Sequence, residues 1–314
     1  MKTNAAEVPQ RALRAGVASD TGLQRSLNED RVFADESRGV FLVVDGLGGH
    51  AAGETAAETA LQILQERMAC FNEDADLERE VREAISAANN EIYQLAQEHS
   101  ECKGMACVLT LAVAREERVT VGHVGDSRLY LAWNGELRKL TSDHSPVGEQ
   151  EDKHELTEEQ AMQHPRRNEV YRDVGSQMHS ADDPEFIETK SFLFRPDAAL
   201  LLCSDGLSDV LTSAEISSIV EGYEGDPDAV AHQLIEAANN AGGKDNISVV
   251  FVPGEEFVGR NAGLNTARQR HAVTRIRTET RNWKPLVRNL SLVLIGMLLG
   301  VALWMGIQRF WPLG

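Results

Sequence analysis

Between residues 13 and 253 the apolar positions of this chain follow two rhythms. Short runs such as Val40-Phe41-Leu42-Val43-Val44 and Leu200-Leu201-Leu202-Cys203, bounded by Gly, Asp or Asn, predict buried strands. The strands expected on this basis lie at 17–19, 31–34, 40–45, 105–114, 118–124, 127–133, 136–140, 186–194, 199–203 and 247–252. Asn134-Gly135 favours positive φ and predicts a tight hairpin turn between two of them. A helical period carries Ala57, Ala60, Leu61 and Leu64 within 53–71, and Val81, Ile85, Ala88, Ile92 and Leu95 within 77–99. Further helices are predicted at 157–163, stopped by Pro165, and at 213–220 and 227–241. Residues 144–175 are otherwise polar and irregular and read as a flap. Strands at both ends with helix pairs between them imply an α+β fold of two packed sheets flanked by helices, not an alternating βαβ order.

The pattern changes after Pro253. A basic stretch, 254–285, leads to an uncharged apolar run at 290–307, which Leu286 extends by about a turn. At 1.5 Å per residue, 18–22 residues reach about 27–33 Å, enough to cross a hydrocarbon core of about 30 Å. Arg275, Arg277, Arg281, Lys284 and Arg288 precede the run and only Arg309 follows it. The excess of positive charge on the preceding side predicts that side to be cytoplasmic. Trp283, Phe310 and Trp311 suit the two interfaces. The expected organisation is therefore a tail at 1–12, a globular domain at 13–253, a juxtamembrane linker at 254–285, a single transmembrane helix at 286–308 and a short tail at 309–314. This places the protein in the inner (cytoplasmic) membrane with its domain in the cytoplasm. Gly296 and Gly300, four residues apart, would let two such anchors approach closely as a weak dimer.

Composition adds limits. The 314 residues are 42% hydrophobic, ample for a core, and carry a net charge of −18. Residues 260–314 hold nine Lys/Arg against Glu279 alone, a net +8, so residues 1–259 hold −26. So acidic a body argues against a nucleic-acid groove. Residues 1–14 are polar and broken by Pro9, unlike a secretory signal. Cys70, Cys102, Cys107 and Cys203 lack paired spacing and read as buried reduced thiols.

The chemistry is suggested by acidic residues beside apolar runs: Asn28-Glu29-Asp30, Asp45-Gly46, Ser204-Asp205-Gly206 and Lys244-Asp245-Asn246. Carboxylates converging at strand tips repel one another unless cations lie between them, and hard divalent ions such as Mg²⁺ or Mn²⁺ meet that need. The glycine after Asp45 lets backbone approach an ion, so the Gly46 carbonyl is a further candidate ligand. Arg25 has the fork geometry for a phosphate oxygen, although its spacing also suits an ion pair with Glu29 or Asp30. These residues together suggest a two-metal phosphate-ester hydrolase.

The segments Arg25-Ser-Leu-Asn-Glu-Asp30, Val44-Asp-Gly-Leu-Gly-Gly-His-Ala-Ala-Gly-Glu54 and Gly122-His-Val-Gly-Asp-Ser-Arg128 resemble metal-dependent serine/threonine protein phosphatases of type 2C, the PPM family, in its bacterial subgroup. So do Thr141-Ser-Asp-His-Ser145, His164-Pro-Arg-Arg-Asn168, Ser204-Asp-Gly206 and Gly243-Lys-Asp-Asn-Ile247, in the same order along about three quarters of the chain. The resemblance implies a four-layer αββα sandwich with two Mn²⁺ or Mg²⁺ ions at one end. Asp45 would bridge them with the Gly46 carbonyl, Asp205 and Asp245 would complete one site, and Glu29 would act mostly through water. Asp126 would hold a third, weaker ion near the flap, Asp30 and Asn246 would support the cluster, and Arg25 would hold the substrate phosphate. It further implies direct attack of an ion-bridging water on phosphoserine or phosphothreonine in proteins, opposing a bacterial Ser/Thr kinase.

Leu47 stands where eukaryotic relatives carry a histidine, which leaves the general acid unassigned; a metal-bound water comes first and His50 or His144 second. Met105-Ala-Cys-Val108 and Tyr171-Arg-Asp-Val174 also depart from the family pattern, at the site floor and the flap. His123 reads as a packed strand histidine, and the acidic run Glu149, Glu151, Asp152, Glu155, Glu158 and Glu159 as a solvated face. Two other readings stay open: a catalytically silent docking module of the same fold, and hydrolysis of small phosphate esters.

Overall fold

Strands buried on both faces lose the polar/apolar alternation of a surface strand, and the fold is built from such strands. The structure, a computed structural model, describes residues 13–48, 51–70 and 76–262. In chain order the elements begin β1 (Gly16–Asp20), β2 (Arg31–Asp35), β3 (Val40–Leu47), α1 (Ala51–Ala69) and α2 (Leu77–Glu98). They continue as β4 (Ala106–Arg115), β5 (Arg118–Val124), β6 (Arg128–Trp133), β7 (Glu136–Lys139), α3 (Pro146–Asp152) and α4 (Glu158–Met162). The last are β8 (Glu188–Leu193), β9 (Ala198–Cys203), α5 (Asp205–Ser208), α6 (Ser213–Val220), α7 (Pro227–Asn240) and β10 (Ile247–Pro253). Two five-stranded sheets result, ordered β1-β10-β9-β6-β7 and β2-β3-β4-β5-β8, and every pairing is antiparallel.

Successive side chains on a strand point to opposite faces. In β3, Phe41 and Val43 therefore enter the layer between the sheets, with Leu129, Leu200, Leu202, Val250 and Val252. Val40, Leu42 and Val44 face the other way, into the layer under α1 and α2, with Ile85 and Ile92. On the second sheet Leu201, Val249 and Phe251 meet Ile216 and Leu234 of α6 and α7. Helices thus cover both outer faces, giving the expected order helix, sheet, sheet, helix. Asn134 and Gly135 have φ of 55° and 79°, the left-handed geometry of the predicted hairpin turn.

The differences from expectation have local causes. Helix α3 lies in the stretch read as irregular. Ser145 caps it by accepting from the Gly148 N–H at 2.9 Å, and Pro146 opens it. Only Val147 and Gly148 of its seven residues are buried, so it has no apolar period to read. The acidic run is not a purely solvated face. Glu151 reaches buried Arg128 at 2.7 Å, Asp152 reaches Lys139 at 2.7 Å, and Glu158 accepts from the N–H and hydroxyl of Ser213. Of the four free cysteines only Cys107 and Cys203 are buried; Cys70 is exposed and Cys102 intermediate.

Residues 254–262 stay with the domain: Phe257 packs on Tyr223 and Phe251, and the Asn261 N–H donates to the Glu221 carbonyl. The 1–12 tail, His50, the rest of the linker and the transmembrane helix expected at 286–308 lie outside the described residues. No helix among the described residues is long and apolar enough to cross a membrane.

Phe251 is fully buried where β10 meets α6 and α7. Phe251→Ala should lower unfolding free energy by about 3–5 kcal/mol in denaturant titration of the full chain. A loss under about 1 kcal/mol would show that this layer repacks freely.

Candidate metal centre and active site

One end of the sandwich collects the strand-end carboxylates. Asp45 lies inside β3 and pairs with Val108, so the strand runs two residues past it and is not ended by it. Asp205 is the first residue of the short helix α5, and Asp245 sits two residues before β10. Asp126 occupies the turn from β5 to β6, and Glu29 and Asp30 immediately precede β2. Asn246 locks the Glu29 loop in place. Its side-chain oxygen accepts from the Glu29 N–H at 2.8 Å, and its amide donates to the carbonyls of Thr21 and Leu27.

Glycine permits the closest approaches. A Cβ on Gly53 would stand 2.8 Å from Glu29 Oε1 and 2.9 Å from the Gly46 carbonyl oxygen, so both oxygens face the start of α1. A Cβ on Gly206 would meet the Asn246 carbonyl at 1.9 Å, which is why α5 and the head of β10 can lie together.

The charge state shows how tightly the acids converge. Loss of hydration, then the charges of Asp30, Asp205, Asp126 and Asp245, push the Asp45 carboxyl well above the usual carboxylate range. Burial likewise pushes Asp30 up to about 7, against hydrogen bonds from Ser248 and Ser204 that favour its ionised form. Asp126 also rises to about 7, through burial and then Asp205, with Arg167 opposing. Asp205 is raised by burial and then by the charge of Asp245, with Arg167 and Arg25 opposing.

The donor set fits hard divalent ions: carboxylate oxygens, one backbone carbonyl within a glycine cradle, and the buried Asp30 Oδ1, which no hydrogen-bond donor satisfies. Soft or nitrogen ligands are not among them.

Arg25 pairs with Asp245, Nη2 to Oδ2 at 2.6 Å. Its side chain is 47% exposed, at the rim of the carboxylate cluster. Residues that the sequence motifs contained without a stated role form a second layer. Arg128, buried in β6, donates to both oxygens of Asp143 and to Glu151. Arg167 lies against Asp126 and Asp209. The order of the motifs was a signal for Arg128, Asp143 and Arg167; nothing in the sequence pointed to Asp209 or Glu188.

His123, His144 and Glu188 form another group with metal-like spacing, their ligand atoms lying within 4.8 Å of one another. Hydrogen bonds already use the imidazole lone pairs that an ion would need. His123 sits between the Thr110 hydroxyl at 2.9 Å and the Ser142 carbonyl at 3.1 Å, and burial drives it down to about 4, hence neutral. His144 Nδ1 accepts from the Gly125 N–H at 3.0 Å, so its proton is on Nε2, toward Glu188 Oε2 at 3.5 Å. This group braces the turn that carries Asp126, and His144 is committed there.

The profile of the family described as protein phosphatase 2C matches residues 23–237. The serine/threonine phosphatase Stp of Listeria monocytogenes is 34% identical over 247 residues, spanning 76% of this chain and 95% of that protein. The serine/threonine protein phosphatase PstP of Mycobacterium tuberculosis is also 34% identical, over 76% of this chain and 44% of its own length. The solved structure of that phosphatase superposes with a TM-score of 0.70 at 33% identity, covering 77% of this chain and 99% of the solved one. The PstP catalytic domain solved with two manganese ions gives 0.67 at 32% identity, with 77% and 97% covered. The profile, the sequence likeness and the likeness of fold all span the stretch that carries the converging acids: the chain belongs to the protein phosphatase 2C family.

Proposed function

We propose that the chain is a Mn²⁺- or Mg²⁺-dependent phosphatase of phosphoserine and phosphothreonine in proteins. What carries the reading is the convergence of Asp45, Asp30, Asp126, Asp205 and Asp245 at one end of the sandwich, where burial and the neighbouring like charges push the Asp45 carboxyl well above the usual carboxylate range, a repulsion that divalent cations would relieve. Asp45, the Gly46 carbonyl, Asp205 and Asp245 would hold two ions, with Glu29 and Asp30 beside them and Asp126 on the flank. When bound, such ions lower the pKa of water toward neutrality and offset charge on phosphoryl oxygens. The chain's own part is orientation. Asp245 tethers Arg25 at the rim, leaving N–H groups to grip a phosphate oxygen and align the ester. Asn246 holds the Arg25 loop and the Asp245 turn together, so phosphate clamp and ion ligands move as one unit. Exposed Leu23 and Leu27 flank Arg25 and would meet the polypeptide around a phosphoserine.

The tail extends the proposal. The apolar run at 286–308 and the basic residues before it support a single membrane anchor with the domain on the cytoplasmic side. There the enzyme would oppose a Ser/Thr kinase, at a concentration raised by confinement to one surface. Gly296 and Gly300 would allow weak pairing of anchors.

Three outcomes are expected. Full-length protein in detergent with Mn²⁺ should hydrolyse a phosphothreonine peptide in preference to p-nitrophenyl phosphate. EDTA should stop this, and Asp205→Asn should cut turnover at least about 100-fold. Undiminished rates in EDTA would end the metal mechanism, and a preference for the small ester would end the protein-substrate assignment.

The second outcome concerns protons. Without ions, Asp30 and Asp126 hold protons in the folded state up to about pH 7, whereas in the unfolded chain they lose them near the usual carboxylate value. Stability of the ion-free protein should therefore fall as pH rises from about 4 through about 7. Mn²⁺ binding should release more protons at about pH 6 than at about pH 8, read by calorimetry in buffers of different ionisation enthalpy. Equal release at both would contradict retention of protons by Asp30 and Asp126 in the ion-free site. Third, deleting residues 286–314 should move the protein from the membrane to the soluble fraction; sedimentation unchanged by the deletion would refute the anchor.

A further inference from the structure

A polypeptide that carries the phosphoester must lie across the ion centre, and the sheet fixes what flanks that centre. Asp45 is on β3, between β2 and β4. The Arg25 loop leads into β2 on one flank. On the other, β5 ends at Val124, opposite Leu109, and Val174 takes its place beside β4. Val174 and Cys107 exchange backbone hydrogen bonds of 2.8 and 2.9 Å, and Cys107 is in turn the strand partner of Gly46. Val174 therefore stands two strand spacings, about 10 Å, from the Gly46 backbone. The neighbouring Asp173 and the catalytic-centre Asp45 both act on the Cys107 thiol, which burial first pushes well above its usual range.

Two cavities of about 400 Å³ each open on this flank, with Tyr171 and Arg172 lining both. The acids of one are engaged within the fold: Asp143 by Arg128, Glu149 by Lys153, Asp152 by Lys139 and Glu188 by Lys190. The other cavity differs. Its carboxylates are Asp173, Asp183 and Glu185, against the single guanidinium of Arg172. Glu185 is 85% exposed and reaches Arg172 at 3.4 Å, and Asp183 lies 2.8 Å from His179 Nδ1. Half-buried Asp173 accepts from the Ser176 N–H at 3.0 Å, and among the described residues no Lys or Arg pairs with it. Tyr171, its hydroxyl donating to Glu149 at 2.9 Å, presents a ring that is 48% exposed. His179 stacked on Phe186 at 4.0 Å adds an apolar wall. Aromatic walls that lead to carboxylates suit a long cationic side chain, its stem along the rings and its charge on the acids. Tyr171 and Asp173 also belong to the segment that departs from the family pattern, so this chemistry is particular to the chain.

We propose that this cavity is a specificity subsite that receives a lysine or arginine side chain of the substrate polypeptide, about three residues from the phosphoserine or phosphothreonine, with Asp173 as its main charge partner. The spacing follows because an extended chain advances about 3.3 Å per residue, and about 10 Å separates Gly46 from Val174. The subsite rests on the reading of this chain as a protein phosphatase and adds a sequence preference to it. Asp173 and Tyr171 act on the polypeptide, apart from the ion ligands.

The test uses full-length protein in detergent with Mn²⁺ and phosphothreonine peptides of equal length. Each carries one arginine, on either side, about two to four residues from the phosphothreonine in an otherwise uncharged background. At the best position kcat/KM should exceed that of the alanine peptide at least about fivefold, chiefly through KM, and glutamate there should fall below alanine. Asp173→Lys should invert this order and make the glutamate peptide the better substrate, whereas a merely structural role of Asp173 would slow all peptides alike. Glu185→Lys, at an exposed position, should narrow the preference at least about twofold. The subsite is overturned if arginine beats alanine at none of these positions, or if Asp173→Lys keeps the wild-type order. Should Asp173→Lys fail to fold, a preference left unchanged by Glu185→Lys would overturn it instead. Wild-type protein that hydrolyses none of the peptides would overturn the phosphatase reading itself.

Discussion

Mutual repulsion among carboxylates brought to one end of a β-sandwich is the constraint around which this molecule is organised. Loss of hydration raises the proton affinity of Asp45, Asp30, Asp126 and Asp205, and the charges of neighbouring carboxylates, that of Asp245 among them, add to the effect. No packing advantage offsets that cost, since the apolar layers elsewhere already stabilise the fold. The cluster is tolerable only as a cation-binding site, with protons or arginines balancing part of the charge when ions are absent.

The supporting structure is rigid where the charges must not move. The central strands of both sheets are buried on each face, so those that present Asp45 and precede Asp205 cannot shift by one residue without exposing a whole apolar row. The short glycine contacts at Gly46, Gly53 and Gly206 then bring backbone from three separate segments together. Asn246 adds the Arg25 loop to that block. The flap is different in kind. Its helices are short and many of its ties are polar, among them the contact of Arg167 with Asp209.

The polar layer behind the centre divides into two parts with distinct roles. Arg128, Asp143 and Glu151 form aligned contacts, buried at Arg128 and Asp143, and burial there is outweighed by Arg128 and Lys139, which hold Asp143 below the usual carboxylate range. Such a group gives one arrangement and keeps it. Arg167, by contrast, meets its acids off-axis. The His123–His144–Glu188 group belongs with the first kind: burial tends to raise Glu188, yet hydrogen bonds from His144 and Lys190 draw it down to about 2.

Much of this was legible in the chain alone, for physical reasons that differ by element. Runs such as 40–44 and 200–203 announce doubly buried strands because every position there is apolar, and Asn134-Gly135 announces its turn because its conformation needs positive φ. The long amphipathic helices α1 and α2 were readable from their period, whereas α3, with two buried residues, had none. The acids of the centre could be named from their places beside apolar runs and from the order of the motifs. Their company could not. That Arg25 pairs with Asp245 across 220 positions of sequence, that the charge of Asp205 bears on Asp45, and that Arg167 lies against Asp209 are matters of distance between remote segments. Local sequence specifies the conformation of each strand end, but electrostatic coupling depends on separation in space, and only the folded sandwich sets that.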